Sequence, residues 1–411
     1  MRYVRRVIAL ACIGILTGCA STDGDVKMAK NTFGDDVEFL KKHTDVVILS
    51  DDSGDSRLAV IPQMQGRVMT TTADGNGGLS YGWINRDLVS SGEFLEHMNG
   101  FGGEDRFWLG PEGGQFSIFF KKGVPFDFDH WYTPASIDTE PFELVSKSTN
   151  KAVFKKDIQL QNYSATKFNL RVDREVRLLG EEDATSELGI TPANKVKMVA
   201  FESTNKITNT GSEAWKKETG LLSIWILGMF NPSPETTIVV PFNAGDESTL
   251  GPVVNDSYFG KVPSDRLIVA DGVLFFSGDG QYRSKIGLSP LRAKPVLGSY
   301  DAVNKVLTIV QYNKPDGVTD YVNSMWELQD EPYKGDTVNS YNDGPPEPGA
   351  EPMGPFYELE SSSMAAALDP GERISHVHRT FHLQGSEADL DPISKAVLGV
   401  TIDQIKTALS K

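Results

Sequence analysis

The stretch Lys167-Phe168-Asn169-Leu170-Arg171-Val172-Asp173-Arg174-Glu175-Val176-Arg177-Leu178-Leu179 decides the fold class. Phe168, Leu170, Val172 and Val176 fall on one side of an extended chain, opposite Arg171, Asp173, Glu175 and Arg177. A period of two marks a half-buried β-strand, because successive side chains leave opposite faces of the pleat. Outward from this stretch, strand-like segments recur at residues 46–49, 57–61, 67–72, 116–120, 142–146 and 152–160. They continue at 197–208, 221–227, 237–241, 272–277, 285–288, 307–312, 325–328, 356–360 and 374–383. Asp51-Asp52-Ser53-Gly54 and residues 62–66 supply the early turns. Parallel βαβ units need crossover helices, and almost none separate these strands, so a large antiparallel sandwich is expected.

Helices are expected only near the two ends. Val37, Phe39 and Leu40 have helical spacing within residues 35–43. Near the C-terminus, Asp391-Pro392 reads as a cap followed by proline at the first helical position, Gly399 as a stop, and Thr401-Ile402-Asp403-Gln404 as a capping box. Residues 330–355 form the longest stretch without periodicity, and a loop of that length in a compact domain is often functional.

The chain has 411 residues, 39% hydrophobic and 23% charged, which is globular composition with material for a large core. The 39 glycines and 22 prolines fit a turn-rich β protein. A net charge of −16 repels phosphate backbones and anionic headgroups, which disfavours nucleic acid as a partner. Arg2, Arg5 and Arg6 precede an apolar run over residues 7–16, and Leu16-Thr17-Gly18-Cys19 follows. This is the order of a secretory leader, too short to span a bilayer as a mature helix. The four residues resemble the bacterial lipobox, which implies that Cys19 is lipidated and becomes the mature N-terminus. Ala20, where Asp would signal inner-membrane retention in enteric bacteria, favours the outer membrane, facing periplasm or exterior. After Cys19 there is no cysteine, so disulfides, thiolate metal sites and cysteine nucleophiles are excluded from the mature chain. The expected organisation is a leader over 1–18, a lipidated tether over 19–35, a β domain over 36–388 and helices over 389–411.

Trp83, Trp108 and Trp131, half of the six tryptophans, share residues 81–140 with Asn85, Arg86, His97, Glu104, Arg106, Glu112 and His130. Indole faces mixed with carboxylate, amide and guanidinium groups suit a sugar, whose rings present both C–H patches and hydroxyls. Residues 100–114 carry six glycines, which implies left-handed backbone or close approach; a tight loop over core tryptophans explains the same composition.

Gln65-Gly66-Arg67-Val68, Gly102-Gly103-Glu104 with Arg106, Trp108 and Pro111-Glu112, Thr208-Asn209-Thr210-Gly211, and Phe356-Tyr357-Glu358-Leu359-Glu360 before Leu368-Asp369-Pro370-Gly371-Glu372 occur in that order. In this order they resemble the galactose-mutarotase-like (aldose 1-epimerase-like) supersandwich superfamily over about residues 36–388. Within it, residues 102–114, Trp131, Thr133-Pro134 and residues 138–142 are most similar to an uncharacterised family of bacterial secreted lipoproteins. The resemblance implies an all-β, large antiparallel supersandwich and a carbohydrate ligand, with no cofactor and no metal. It also implies a Glu that takes the anomeric proton and a His that serves the ring oxygen. Glu360 matches that Glu, with Glu358 two residues earlier on the same strand face. The central His has no match: Trp225 stands in its neighbourhood, and only His97 answers, loosely, to an earlier family histidine. Arg67, Asn85, Glu104, Arg106, Trp108, Glu112 and Trp225 complete the expected sugar site.

His376, His378 and His382 alternate along one strand, either as an exposed or half-buried structural face or as a metal pair. Asp51, Asp52 and Asp55, and likewise Asp316 and Asp320, fit turns or weak calcium loops. The leading expectation is an envelope lipoprotein that binds a carbohydrate, with the membrane reached only through the anchor. Its competitors are a hexose epimerase with a rearranged acid, a glycan lyase or hydrolase, and a non-enzymatic scaffold. Replacing Cys19 with Ser is expected to move the protein into the soluble fraction; unchanged fractionation and an unchanged mass of the N-terminal peptide would refute lipidation.

Overall fold

The structure is a computed structural model that describes residues 31–409. Cys19, the leader and most of the tether lie outside the described residues.

Antiparallel strands form three sheets. A three-stranded sheet joins Val47–Ser50, Arg57–Ile61 and Arg67–Thr72. The ten-stranded sheet runs in the order Leu267–Ala270, Val273–Ser277, Thr236–Pro241, Val296–Asp301, Val306–Tyr312, Arg373–Gln384, Lys197–Asn209, Lys167–Leu178, Lys151–Gln161 and Glu143–Lys147. The five-stranded sheet runs Ser284–Leu288, Val338–Asn342, Tyr357–Ser362, Ser223–Phe230 and Arg106–Gly110. The fold is thus a large antiparallel β-supersandwich with short helices.

Strand Lys167–Leu178 keeps the alternation of its sequence, with Phe168, Leu170, Val172 and Val176 buried and its first exposed partners facing water. The inner face of the large sheet meets the five-stranded sheet through side chains such as Phe201, Ile207, Phe107 and Ile226. Part of its outer face is covered by the helices Glu387–Leu398 and Ile402–Ala408, whose Leu390, Ile393, Leu398, Ile402 and Ile405 pack with Val239, Tyr300, Leu307 and Phe381. Gly399 ends the first of these helices in the left-handed conformation, and Thr401 and Gln404 close the capping box. Ser386, not Asp391, caps the first helix, so Pro392 lies inside it. The N-terminal helix begins at Phe33 because Thr32 supplies its cap, and it buries Phe33, Val37 and Leu40.

Several local expectations are corrected. Residues 116–120 and 325–328 are loops, held by tertiary contacts of Phe119, Phe120 and Trp326 rather than by strand pairing. Arg106–Gly110 is a strand inside the glycine-rich segment, and Val338–Asn342 is a strand inside the stretch expected to lack structure. Leu267–Ala270 and Val296–Asp301 are further strands, and Arg86–Ser91, Ala135–Asp138, Glu181–Leu188 and Glu247–Leu250 are further helices. Each is short, so neighbours rather than local periodicity determine its state. His376, His378 and His382 are fully buried and face the inside of the sandwich, not an exposed or half-buried strand surface.

Arg174 occupies an inward position between Val172 and Val176 and is completely buried. Its guanidinium donates to Asp105 Oδ1 at 2.6 Å, to the carbonyls of Asp105 and Gly66 at 3.1 and 3.2 Å, and to Asn205. It therefore ties the large sheet to the segment entering Arg106–Gly110 and to the turn before Arg67–Thr72. Removing one partner of a buried ion pair leaves an uncompensated charge, at a cost of about 3–5 kcal/mol. Asp105→Ala is expected to lower the unfolding free energy measured by urea titration by an amount of that order, whereas Asp157→Ala, which breaks the exposed pair with Arg171, is expected to leave it nearly unchanged. Equal effects of the two substitutions would refute the central role of Arg174.

Candidate functional site

Alternation along Tyr357–Ser362 divides its side chains between two worlds. Tyr357 and Ser361 point into the sandwich, where Tyr357 bonds Ser299 at 2.8 Å and Ser361 Oγ lies 2.8 Å from both His376 Nε2 and His378 Nδ1. Glu358, Glu360 and Ser362 therefore point to the other face of the five-stranded sheet. Register then selects their neighbours. Glu360 is opposite Asn339 and Leu227, Leu227 is opposite Arg106, Glu358 is opposite Tyr341, and Tyr341 is opposite Lys285. Ser362 is opposite Trp225, which is opposite Trp108.

This face holds a connected polar cluster. Glu360 Oε2 accepts from Trp225 Nε1 at 2.8 Å and from Lys285 Nζ at 3.1 Å, and Oε1 is buried without a partner. The Lys285 ammonium lies 4.8 Å from the Trp225 ring centre and 5.5 Å from that of Tyr258. Burial works against its charge, but Glu360, Glu112 and Glu358 outweigh it and hold the lysine above its ordinary pKa. Arg106 donates to Glu358 at 3.2 Å and lies over the Trp108 ring at 4.2 Å, with Nε and Nη1 unpartnered. Burial, reinforced by the Glu360 charge, pushes Glu358 up to about 8. Two carboxyls on one strand face thus differ in environment: Glu360 accepts from Trp225 and Lys285, while Glu358 accepts from Arg106 and is shifted by burial toward its protonated form. Glu112 accepts from Trp326 Nε1 at 3.2 Å and is likewise raised by burial.

A small pocket opens over this face, lined among others by Trp225, Tyr258, Lys285, Ser324, Asp336 and Asn339. Tyr258 donates to Asp336 at 2.6 Å and accepts from Asn339 at 3.2 Å, and Asn255 also donates to Asp336 at 3.2 Å. Burial raises the Asp336 carboxyl, and the Tyr258 phenol is raised by burial and by the Asp336 charge. The pocket offers an indole face, an ammonium, a phenol, a carboxyl and an amide in one place.

Of the residues expected to bind or react, the structure brings together Glu358, Glu360, Arg106, Trp108, Glu112 and Trp225. Trp108 is wall rather than lining: it is buried against Phe119, Trp131 and Trp225. The other four serve the scaffold. Arg67 is fully buried, donates to the Gly102 carbonyl and to Gln65, and is lowered to about 9 by burial. Glu104 turns inward and accepts from Thr71 and pairs with His382 at 2.9 Å. Asn85 caps helix Arg86–Ser91 by accepting from Leu88 N. His97 is held by the Trp131 carbonyl at 2.7 Å and by the rings of Phe128 and Tyr132. The glycines explain this division: Gly102 and Gly103 have φ of +95° and +108°, and a Cβ on Gly102 would sit 2.1 Å from the Trp83 carbonyl, so the chain packs tightly before entering the strand.

Sequence reasoning missed Lys285, Tyr258, Asp336 and Asn339. Lys285 carried a usable signal, a charge opposite in phase to Ile286 and Leu288 on a predicted strand. Asp336 and Asn339 lie within the aperiodic stretch 330–355. Burial lowers His376 to about 3 and His378 to about 4, and the three strand histidines bond Ser361, Thr308 and Glu104. Among the described residues, no three His, Cys, Asp or Glu side chains are grouped to hold a metal ion.

A candidate aldose 1-epimerase of Escherichia coli K12 is similar in structure at 14% identity, covering 83% of this chain and 99% of its own, with a TM-score of 0.50. A Synechocystis protein follows at 12% identity, 84% and 96% coverage and a TM-score of 0.49. A galactose mutarotase-like protein of Lactobacillus casei has 10% identity, 83% and 100% coverage and a TM-score of 0.46. The chain has the galactose mutarotase-like fold. No curated protein matches it in sequence. The model of the family of unknown function DUF6786 matches residues 31–409, and the chain belongs to that family.

Proposed function

We propose that the pocket over the five-stranded sheet binds a carbohydrate, and that the protein does so in the bacterial envelope, tethered through Cys19. The observation that carries the first part is the convergence of Trp225, Lys285, Tyr258, Asp336 and Asn339 on one cavity. An indole takes the C–H face of a pyranose, while charged and amide groups pair with hydroxyls on its rim.

The chemistry favours binding over fast anomer exchange. Glu360, which matches the family's proton acceptor, already accepts from Trp225 and Lys285. Trp225 stands in the neighbourhood of the family's imidazole, and an indole N–H donates but does not exchange a proton as an imidazole does. A positioned acid or base contributes about 10²–10⁴-fold, so a site lacking one of two partners retains little acceleration. One observation favours an epimerase with a rearranged acid instead: the Lys285 ammonium lies on Glu360 and, among the described residues, is the one cation lining the pocket.

A glycan array followed by calorimetry and polarimetry separates these readings. The expected result is measurable affinity that falls about tenfold on Tyr258→Phe or Glu360→Gln, with little acceleration of glucose or galactose mutarotation over buffer. A protein-dependent rate abolished by Glu360→Gln would promote the epimerase, and absence of any glycan binding would refute the carbohydrate reading.

A further inference from the structure

Beyond the pocket, the same sheet face continues toward the start of strand Ser284–Leu288. Tyr341 stands directly opposite Lys285 across the strand pair, so its side chain is the pocket lysine's neighbour. Phe259, adjacent in sequence to the pocket residue Tyr258, meets the Tyr341 ring edge-on at 5.8 Å and is 47% exposed. The guanidinium of Arg283 lies 4.0 Å from the Phe259 ring centre, and among the described residues it makes no ion pair and no hydrogen bond. Behind them Tyr341 packs on Phe356 at 5.7 Å, and Phe356 on Trp83 at 4.6 Å, so Tyr341 has an aromatic backing.

A single exposed phenylalanine on a surface is ordinary. Here the ring adjoins the pocket lined by Tyr258 and Lys285, packs on Tyr341, and carries an arginine that makes no hydrogen bond among the described residues. Arginine is the side chain that reads pairs of oxygens through a planar fork, and stacking on a ring fixes the plane of that fork.

We propose that Phe259, Tyr341 and Arg283 form a second sugar subsite next to the pocket, so that the natural ligand is an oligosaccharide rather than a free monosaccharide. This rests on the reading of the pocket as a sugar site. The second ring stacks on the exposed part of Phe259, and a pair of its ring oxygens meets the Arg283 guanidinium. The pocket holds the terminal unit beside Lys285 and Trp225.

The test compares glucose and galactose with maltose, cellobiose and lactose by calorimetry on the wild type, Phe259→Ala and Arg283→Met. Aromatic stacking of the usual strength predicts that at least one disaccharide binds about three- to tenfold tighter than its terminal monosaccharide. Phe259→Ala is expected to erase that advantage and leave monosaccharide affinity unchanged, and Arg283→Met to reduce it. Phe259 is exposed and Arg283 half-buried, and unchanged melting temperatures confirm that the variants fold. Equal binding of mono- and disaccharides, or an advantage that survives Phe259→Ala, overturns the second subsite while leaving the pocket reading intact. Failure of every sugar to bind overturns both.

Discussion

A buried arginine holds this molecule together. The Arg174 guanidinium, without solvent access, collects Asp105, Asn205 and two backbone carbonyls from three regions of the chain. Its cost of desolvation is met only if all those partners are in place at once, so the ion pair fixes the relative position of the sheets rather than adding bulk stability. Asp105 directly precedes Arg106–Gly110, the strand that brings Arg106 and Trp108 to the candidate site. The site's geometry is therefore anchored on the opposite side of its own sheet.

That sheet separates two polar systems with different tasks. On the inner side, Thr308, His382, Glu104 and Thr71 form one bonded chain within the core, and Ser361 joins His376 and His378, whose Nδ1 and Nε2 respectively have no partner. On the outer side, Glu358, Glu360, Arg106 and Lys285 form a cluster that stays partly unsatisfied, with Glu360 Oε1 and two Arg106 nitrogens lacking partners. Spare hydrogen-bonding capacity thus occurs on both sides, and on the outer side it lies beside the pocket, where buried polar groups are suited to a ligand. A shift of one residue in strand Tyr357–Ser362 would exchange the two sets and destroy both.

Much of the architecture was legible locally. Long strands such as Lys167–Leu178 and Arg373–Gln384 are half-buried and write their period into the sequence. Arg174 itself was visible as a charge in phase with Phe168, Leu170, Val172 and Val176, although only its burial reveals why it stands there. Strand Arg106–Gly110 is buried on both faces and strand Val338–Asn342 nearly so, and such strands carry no alternation to read.

The sequence by itself determined the strand-rich antiparallel class, the terminal helices with the Thr401 cap and Gly399 stop, and the presence of Glu358 and Glu360 on one strand face. These depend on backbone periodicity and capping, which act within a few residues. Only the tertiary structure decided that Glu104 and Arg67 turn into the scaffold while Lys285, Tyr258, Asp336 and Asn339 enter the pocket. Those residues come from segments far apart in the chain, and their meeting is fixed by strand register and by the pairing of buried charges, neither of which leaves a local pattern.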